Sequence, residues 1–118
     1  MKYMMLIYFE EKALSESERN CCYEESLQLT HDLDAKGQFL AASPLQSVST
    51  ATSVRIRNGK RLVTDGPFAE TREQLGGYFV VTANDLDEAI EIAGRIPAAR
   101  YGTVEVRPMI ELGGMTGG

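Results

Sequence analysis

The stretch Asp65-Gly66-Pro67-Phe68-Ala69-Glu70-Thr71-Arg72-Glu73-Gln74-Leu75-Gly76-Gly77 holds the densest set of groups able to do chemistry in this chain of 118 residues. Asp65, Glu70 and Glu73 are candidate catalytic carboxylates. Two such groups in one mouth can separate in pKa and divide the roles of acid and base. Phe68, Thr71, Arg72 and Gln74 are the accompanying candidates for holding a small-molecule ligand, with Phe68 as a large apolar anchor that would draw the loop onto the body. A structural reading uses the same residues. Asp65 can accept backbone N–H groups of its own turn, and Thr71 and Gln74 stand at the cap-to-N3 spacing that opens a single helical turn. Both readings stay open on residue types alone.

Three further places carry charge. His31, the one histidine of the sequence, is the side chain that titrates near neutral pH without perturbation. It falls away from the apolar stripe of its helix and is a weaker catalytic candidate. Arg55, Arg57, Lys60 and Arg61 cluster on a hairpin, either to block edge pairing or to bind an anion. Glu105 and Arg107 share one face of the last strand, opposite Val104 and Val106, which makes Arg107 a further ligand-binding candidate. One histidine and two adjacent cysteines make no metal-site spacing. Phosphate loops, dinucleotide fingerprints and nucleophile elbows are also missing. The expectation is therefore a chain without metal or cofactor.

The elements that must position these groups follow from periodicity. Residues 3–9 predict a strand apolar on both faces, hence central in a sheet. Ser15 and Glu18 have capping-box spacing, predicting a helix to about Lys36 that stops at Gly37. Its inward stripe is Cys22, Ser26, Leu29 and Leu33, with Tyr23 beside it. Phe39 to Ala42 predicts a strand broken at Ser43-Pro44. Thr52 to Arg57 and residues 60–64 predict a hairpin across Asn58-Gly59. A strand from Gly77 to Thr82 follows, with Gly76-Gly77 permitting a bulge or close approach. Asp85 and Glu88 cap a second helix that buries Leu86, Ala89, Ile90, Ala93 and Ile96 and ends at Pro97. Thr103 to Met109 is the last strand.

This order, with a strand at each end and two helices, predicts an α+β ferredoxin-like sandwich with an added β-hairpin. Two helices cover one face of such a sheet, so the second apolar face calls for a second copy of the chain. Residues 1–110 form the expected single domain, and the Gly-rich 111–118 an expected flexible tail.

Composition bounds the function. A net charge of −5 works against non-specific binding to nucleic acid or anionic membranes. The apolar run at 3–9 is too short to span a bilayer and leads into Glu10 and Glu11 without a small-residue cleavage site. Cys21 and Cys22 are expected to be reduced packing residues, in keeping with a cytoplasmic location.

Thr64 through Tyr78 resembles the hallmark stretch of the YCII-related, or DGPF-motif, family. The similarity extends to Ala51-Thr52 through Arg61, to Asp85-Leu86-Asp87-Glu88-Ala89 and to Val104-Glu105-Val106-Arg107-Pro108. The resemblance implies a bacterial protein whose subunits pair into a dimeric α+β barrel. It also implies a link to sigma factors of the extracytoplasmic-function class, beside which such genes occur. Distant relatives resemble isomerase- and dehydrochlorinase-type enzymes, for which a His–Asp dyad is suggested. Their histidine lies about eleven residues before the helix-ending glycine; counted back from Gly37, that position is Ser26. Asp65 matches the aspartate of the motif. The resemblance thus implies either a cofactor-independent small-molecule enzyme of isomerase or lyase type, with its pocket at Asp65, or a non-catalytic ligand-binding or regulatory module.

Overall fold

The computed structural model describes residues 1–113; the rest of the predicted tail lies outside the described residues. The chain runs through β1 (Lys2–Phe9), α1 (Glu16–Ala35), β2 (Phe39–Pro44), β3 (Thr52–Arg57), β4 (Lys60–Asp65), β5 (Gln74–Thr82), α2 (Leu86–Gly94) and β6 (Thr103–Pro108), with 3-10 turns at Glu11–Ala13, Val48–Thr50 and Pro97–Arg100. β2, β5, β1 and β6 lie side by side in that order, antiparallel throughout. This is the ferredoxin-like α+β plan, and β3–β4 is a separate two-stranded ribbon inserted after its second strand.

Period-two alternation sorts the central strands. Tyr3 and Met5 of β1, opposite Val81 and Phe79 of β5, are buried with Leu29 and Leu33 of α1 and Ala89, Ile92 and Ala93 of α2. Met4, Leu6 and Tyr8 alternate to the other face, beside Tyr78 and Val80 of β5 and Glu105 and Arg107 of β6. Both helices pack on the first face, and the second stays open. There Arg107 Nε stands 3.9 Å from Glu105 Oε2.

Both helix starts follow the expected chemistry. Ser15 Oγ accepts from Glu18 N at 3.2 Å and Glu18 Oε1 accepts from Ser15 N at 3.0 Å. Gly37 takes the left-handed conformation at φ 70°, with Gln38 N donating to Leu33 O and Gly37 N to Asp34 O, so orphaned carbonyls at the helix end are satisfied. Asp85 caps α2 by accepting from Glu88 N.

The structure departs from the expected elements in four places. α2 turns Leu86 and Ile90 outward and buries Ile92 instead. The stripe Ala89, Ile92, Ala93, Ile96 wins because it continues into buried Pro97, where the chain folds back onto the sheet. β2 continues through Ser43 to Pro44, which pairs with Gly77. β2 is an edge strand, where a proline's missing N–H need not break a ladder. β5 starts at Gln74 rather than Gly77, with the register shift falling at Gly76. Thr71 to Gln74 forms no helical turn: the Gln74 amide donates to Thr71 O and Arg72 O while its oxygen accepts from Glu11 N.

Candidate functional site

The packing of α1 on the sheet leaves a cavity of about 240 Å³ between α1, the inner ends of β1, β2 and β5, and the Pro97–Arg100 turn. Ile7, Phe9, Phe79 and Ile96 give it apolar walls. Arg19, Cys22 and Ser26 reach it from α1, one turn apart along one face, and Tyr101 lines it beside Cys22.

Glycine allows close packing at one wall. Gly76 and Gly77 line the cavity; a Cβ on Gly76 would run into the Phe9 ring, and one on Gly77 would sit 2.9 Å from the Ser43 carbonyl. The expected close approach at Gly76-Gly77 is thus present where the two glycines line the cavity. Phe9 in turn packs edge-on to Tyr101, ring centroids 6.3 Å apart at 78°.

One hydrogen-bonded couple stands in this mainly apolar setting. Cys22 Sγ and Tyr101 Oη are 2.8 Å apart. Burial, followed by the bond to Cys22, pushes the Tyr101 phenol well above the ordinary tyrosine range. The phenol therefore stays protonated throughout the neutral range, and either atom can donate across the bond. In a spectrophotometric pH titration, wild type should show one tyrosine ionising later than the rest, and Tyr101→Phe should remove that late component. A late component that survives the substitution would refute the assignment.

Ion pairs locate α1 over the cavity. Arg100 grips Glu25 through two bonds of 2.8 Å, and the hydrogen bond from Arg100 holds the Glu25 carboxyl below its usual range. Arg95 Nη2 lies 2.5 Å from Asp32 Oδ2. Exposed pairs of this kind contribute little stability, but they set position.

The candidates read from the sequence do not gather at this cavity. Asp65 ends β4 with an exposed side chain. Its turn is held by other groups: Gly66 N donates to Ala51 O at 2.7 Å, and Ser53 Oγ to Gly66 O at 2.8 Å. Glu70 is exposed. Glu73 accepts from Thr103 Oγ1 at 2.9 Å. Arg72 donates to Glu10 Oε1 at 2.9 Å, and that bond raises its pKa further. Thr71 and Gln74 brace the loop, as described above. Phe68 is 79% exposed, so it does not anchor the loop onto the body of the chain. His31 is exposed on α1. Arg107 lies on the open sheet face beside Glu105. Among the described residues no group of three or more His, Cys, Asp or Glu is placed to hold a metal ion.

Cys22 and Ser26 were legible as members of the inward stripe of α1, though as packing residues rather than cavity groups. Tyr101 carried no signal, because it follows a 3-10 turn whose path depends on the buried Pro97 and Ala98. Cys21 and Cys22 are both free thiols, and Cys21 is exposed rather than packed.

An antiparallel β2-β5-β1-β6 sheet with two helices on one face, and a ribbon inserted after β2, defines a ferredoxin-like α+β domain. The chain belongs to the YCII-related family, whose domain model matches residues 1–113. It is 33% identical over 118 residues to the uncharacterised protein R00369 of Rhizobium meliloti (strain 1021), covering 92% of each chain. Among solved structures it is similar to the 5-chloro-2-hydroxyhydroquinone dehydrochlorinase TftG of Burkholderia phenoliruptrix AC1100 in complex with 2,5-dihydroxybenzoquinone. That match has a TM-score of 0.58 and 13% identity, and covers 93% of this chain and 94% of TftG. At that identity the likeness is one of fold. Among the described residues no helix is long and apolar enough to cross a membrane.

Proposed function

We propose that this YCII-related chain binds a single-ring, largely apolar small molecule beneath α1, with Tyr101 donating a hydrogen bond to an oxygen of the ligand. The observation that carries the reading is the Tyr101–Cys22 couple inside a cavity walled mainly by apolar side chains. Such a setting suits small-molecule sites, where a few convergent polar groups orient a ligand held by apolar walls. Size narrows the class. A dry apolar hole of roughly 150 Å³ accepts benzene, so about 240 Å³ suits one substituted ring. Phenols, lactones and quinones come first in a screen, and the ring-shaped ligand of the fold neighbour TftG supports that order.

The chemistry open to such a site without a cofactor is of isomerase or lyase type, with the Tyr101 phenol as a hydrogen-bond donor that stabilises charge developing on a ligand oxygen. A regulatory module would use the same cavity without turnover. Asp65, exposed and not among the residues that line the cavity, belongs to neither role on this reading.

A thermal-shift screen of wild type, Asp65→Asn and Tyr101→Phe against small phenols, lactones and quinones tests the proposal. Ligand at about a hundredfold over Kd should stabilise the fold by roughly 2.7 kcal/mol. Asp65→Asn is expected to keep that response and Tyr101→Phe to lose most of it. The reverse pattern would move the site to the Asp65 loop. Product formation by a hit, followed chromatographically, separates the enzyme from the regulatory module.

The open sheet face is proposed to pair with a second copy. Met4, Leu6, Tyr78 and Val80 lie together there without a covering layer, and burying them is worth about 25 cal/mol per Å² of apolar surface.

A further inference from the structure

The β3–β4 ribbon is unusual in touching so little of its own subunit. A two-stranded hairpin alone in water is marginally stable, yet this one exposes large aliphatic residues along its length. Val54 and Val63 face each other across the ladder, each 58% exposed, and Ile56 is 60% exposed on the same face. Phe68, just beyond the turn at the ribbon's base, stands out at 79%. The turn itself is tied to the ribbon, through Ser53 Oγ to Gly66 O and Gly66 N to Ala51 O. Ribbon and turn therefore form one unit.

Charge says what this unit meets. Between Thr52 and Asp65 the ribbon carries Arg55, Arg57, Lys60 and Arg61 against Asp65 alone, a net of +3. The whole chain carries −5, so the remainder of the chain carries −8. An apolar, basic arm on an acidic body is complementary to the body of another copy of the same chain. Opposite fields of this kind steer association and fix its orientation, and a closed two-fold dimer uses each arm once.

We infer that the β3–β4 ribbon and the Asp65–Phe68 turn form an arm that packs onto the body of a second copy of this chain, with Val54, Ile56, Val63 and Phe68 as its apolar contacts. The inference rests on the dimer reading and extends it, since the open sheet face alone would pair without the arm. It also gives the Asp65-Gly66-Pro67-Phe68 segment a role. The sharp turn, with Gly66 at φ 97°, aims Phe68 away from its own subunit and toward the partner.

The test is sedimentation equilibrium on wild type, the double variant Val54→Asp/Ile56→Asp, and Phe68→Asp. Circular dichroism on each checks that the body stays folded, as expected for side chains that contribute nothing to the core. Wild type should be a dimer at micromolar concentration, and both arm variants should raise the dissociation constant at least tenfold. Raising salt from 50 to 500 mM should weaken the wild-type dimer by a similar factor. Leu6→Arg on the open sheet face separates the two claims. A monomeric wild type overturns the dimer and the arm together. A wild-type dimer weakened by Leu6→Arg but not by either arm variant overturns the arm alone, and would mean that the ribbon meets a different macromolecule. A variant that will not fold is replaced by Arg55→Glu/Arg57→Glu, for which the same tenfold weakening is expected and an unchanged constant is contradictory.

Discussion

Ser26→Phe is expected to weaken binding of single-ring ligands at least a hundredfold, about 2.8 kcal/mol, while leaving the fold intact. Ser26 is half-buried on α1 and lines the cavity one turn beyond Cys22. A phenyl group built there enters the space the ligand would occupy, and the cavity of about 240 Å³ has no room for two rings. Serine and phenylalanine have similar helix propensities, so α1 should not suffer. The incoming ring enters a cavity lined by Ile7, Phe9 and Phe79, and filling an apolar hole tends to stabilise. Titration calorimetry with a hit compound reads the affinity, and a melting curve reads the fold. A melting temperature equal to or above wild type with binding lost is the expected pair. Unchanged affinity would place the ligand elsewhere.

Gly102→Ala should have the largest effect on stability, because nothing near it can yield. A Cβ there would run into the Tyr8 carbonyl oxygen and lie 2.9 Å from Phe9 Cβ. Both belong to β1, which is hydrogen-bonded on each side to β5 and β6. The Gly102 N–H is itself committed to Ala98 O at 2.7 Å, so the turn before β6 cannot swing away without losing that bond. Overpacking against backbone costs roughly 3 kcal/mol, which for a domain of this size is a fall of about 12 °C in melting temperature. A urea melt checks the figure. A loss below about 1 kcal/mol would show that the Pro97–Arg100 turn can shift away from β1.

Much of this architecture could be read before any coordinates, and the reasons are local. The Ser15–Glu18 box, the Gly37 stop, the Asn58-Gly59 turn and the Asp85 cap depend on residues a few positions apart. All four are in place. Where two readings shared residues, tertiary packing decided. α2 offered two stripes through Ala89 and Ala93, and the burial of Ile96 and Pro97 chose the one with Ile92. Pro44 reads as a strand breaker on its own, and only the edge position of β2 in the sheet makes it acceptable.

The site was less legible, because it depends on distances between segments far apart in sequence. Cys22 and Tyr101 are separated by 79 positions, and no periodicity joins them. The density of charge from Asp65 to Glu73 drew attention to a loop whose polar groups serve largely as braces: Gln74 to Glu11, Arg72 to Glu10, Glu73 to Thr103. Gly76 and Gly77 are where that conspicuous motif does meet the cavity, through the absence of side chains.

Chemical-shift mapping on the uniformly ¹⁵N-labelled protein, titrated with a single-ring phenol or quinone hit, tests the cavity most directly. The amides of Cys22, Ser26, Gly76, Gly77 and Tyr101 should move together and saturate with one binding constant, while those of Asp65, Glu70 and Arg107 stay in place. Shifts confined to the Asp65–Glu73 loop, with the amides around α1 and Tyr101 unmoved, would contradict it.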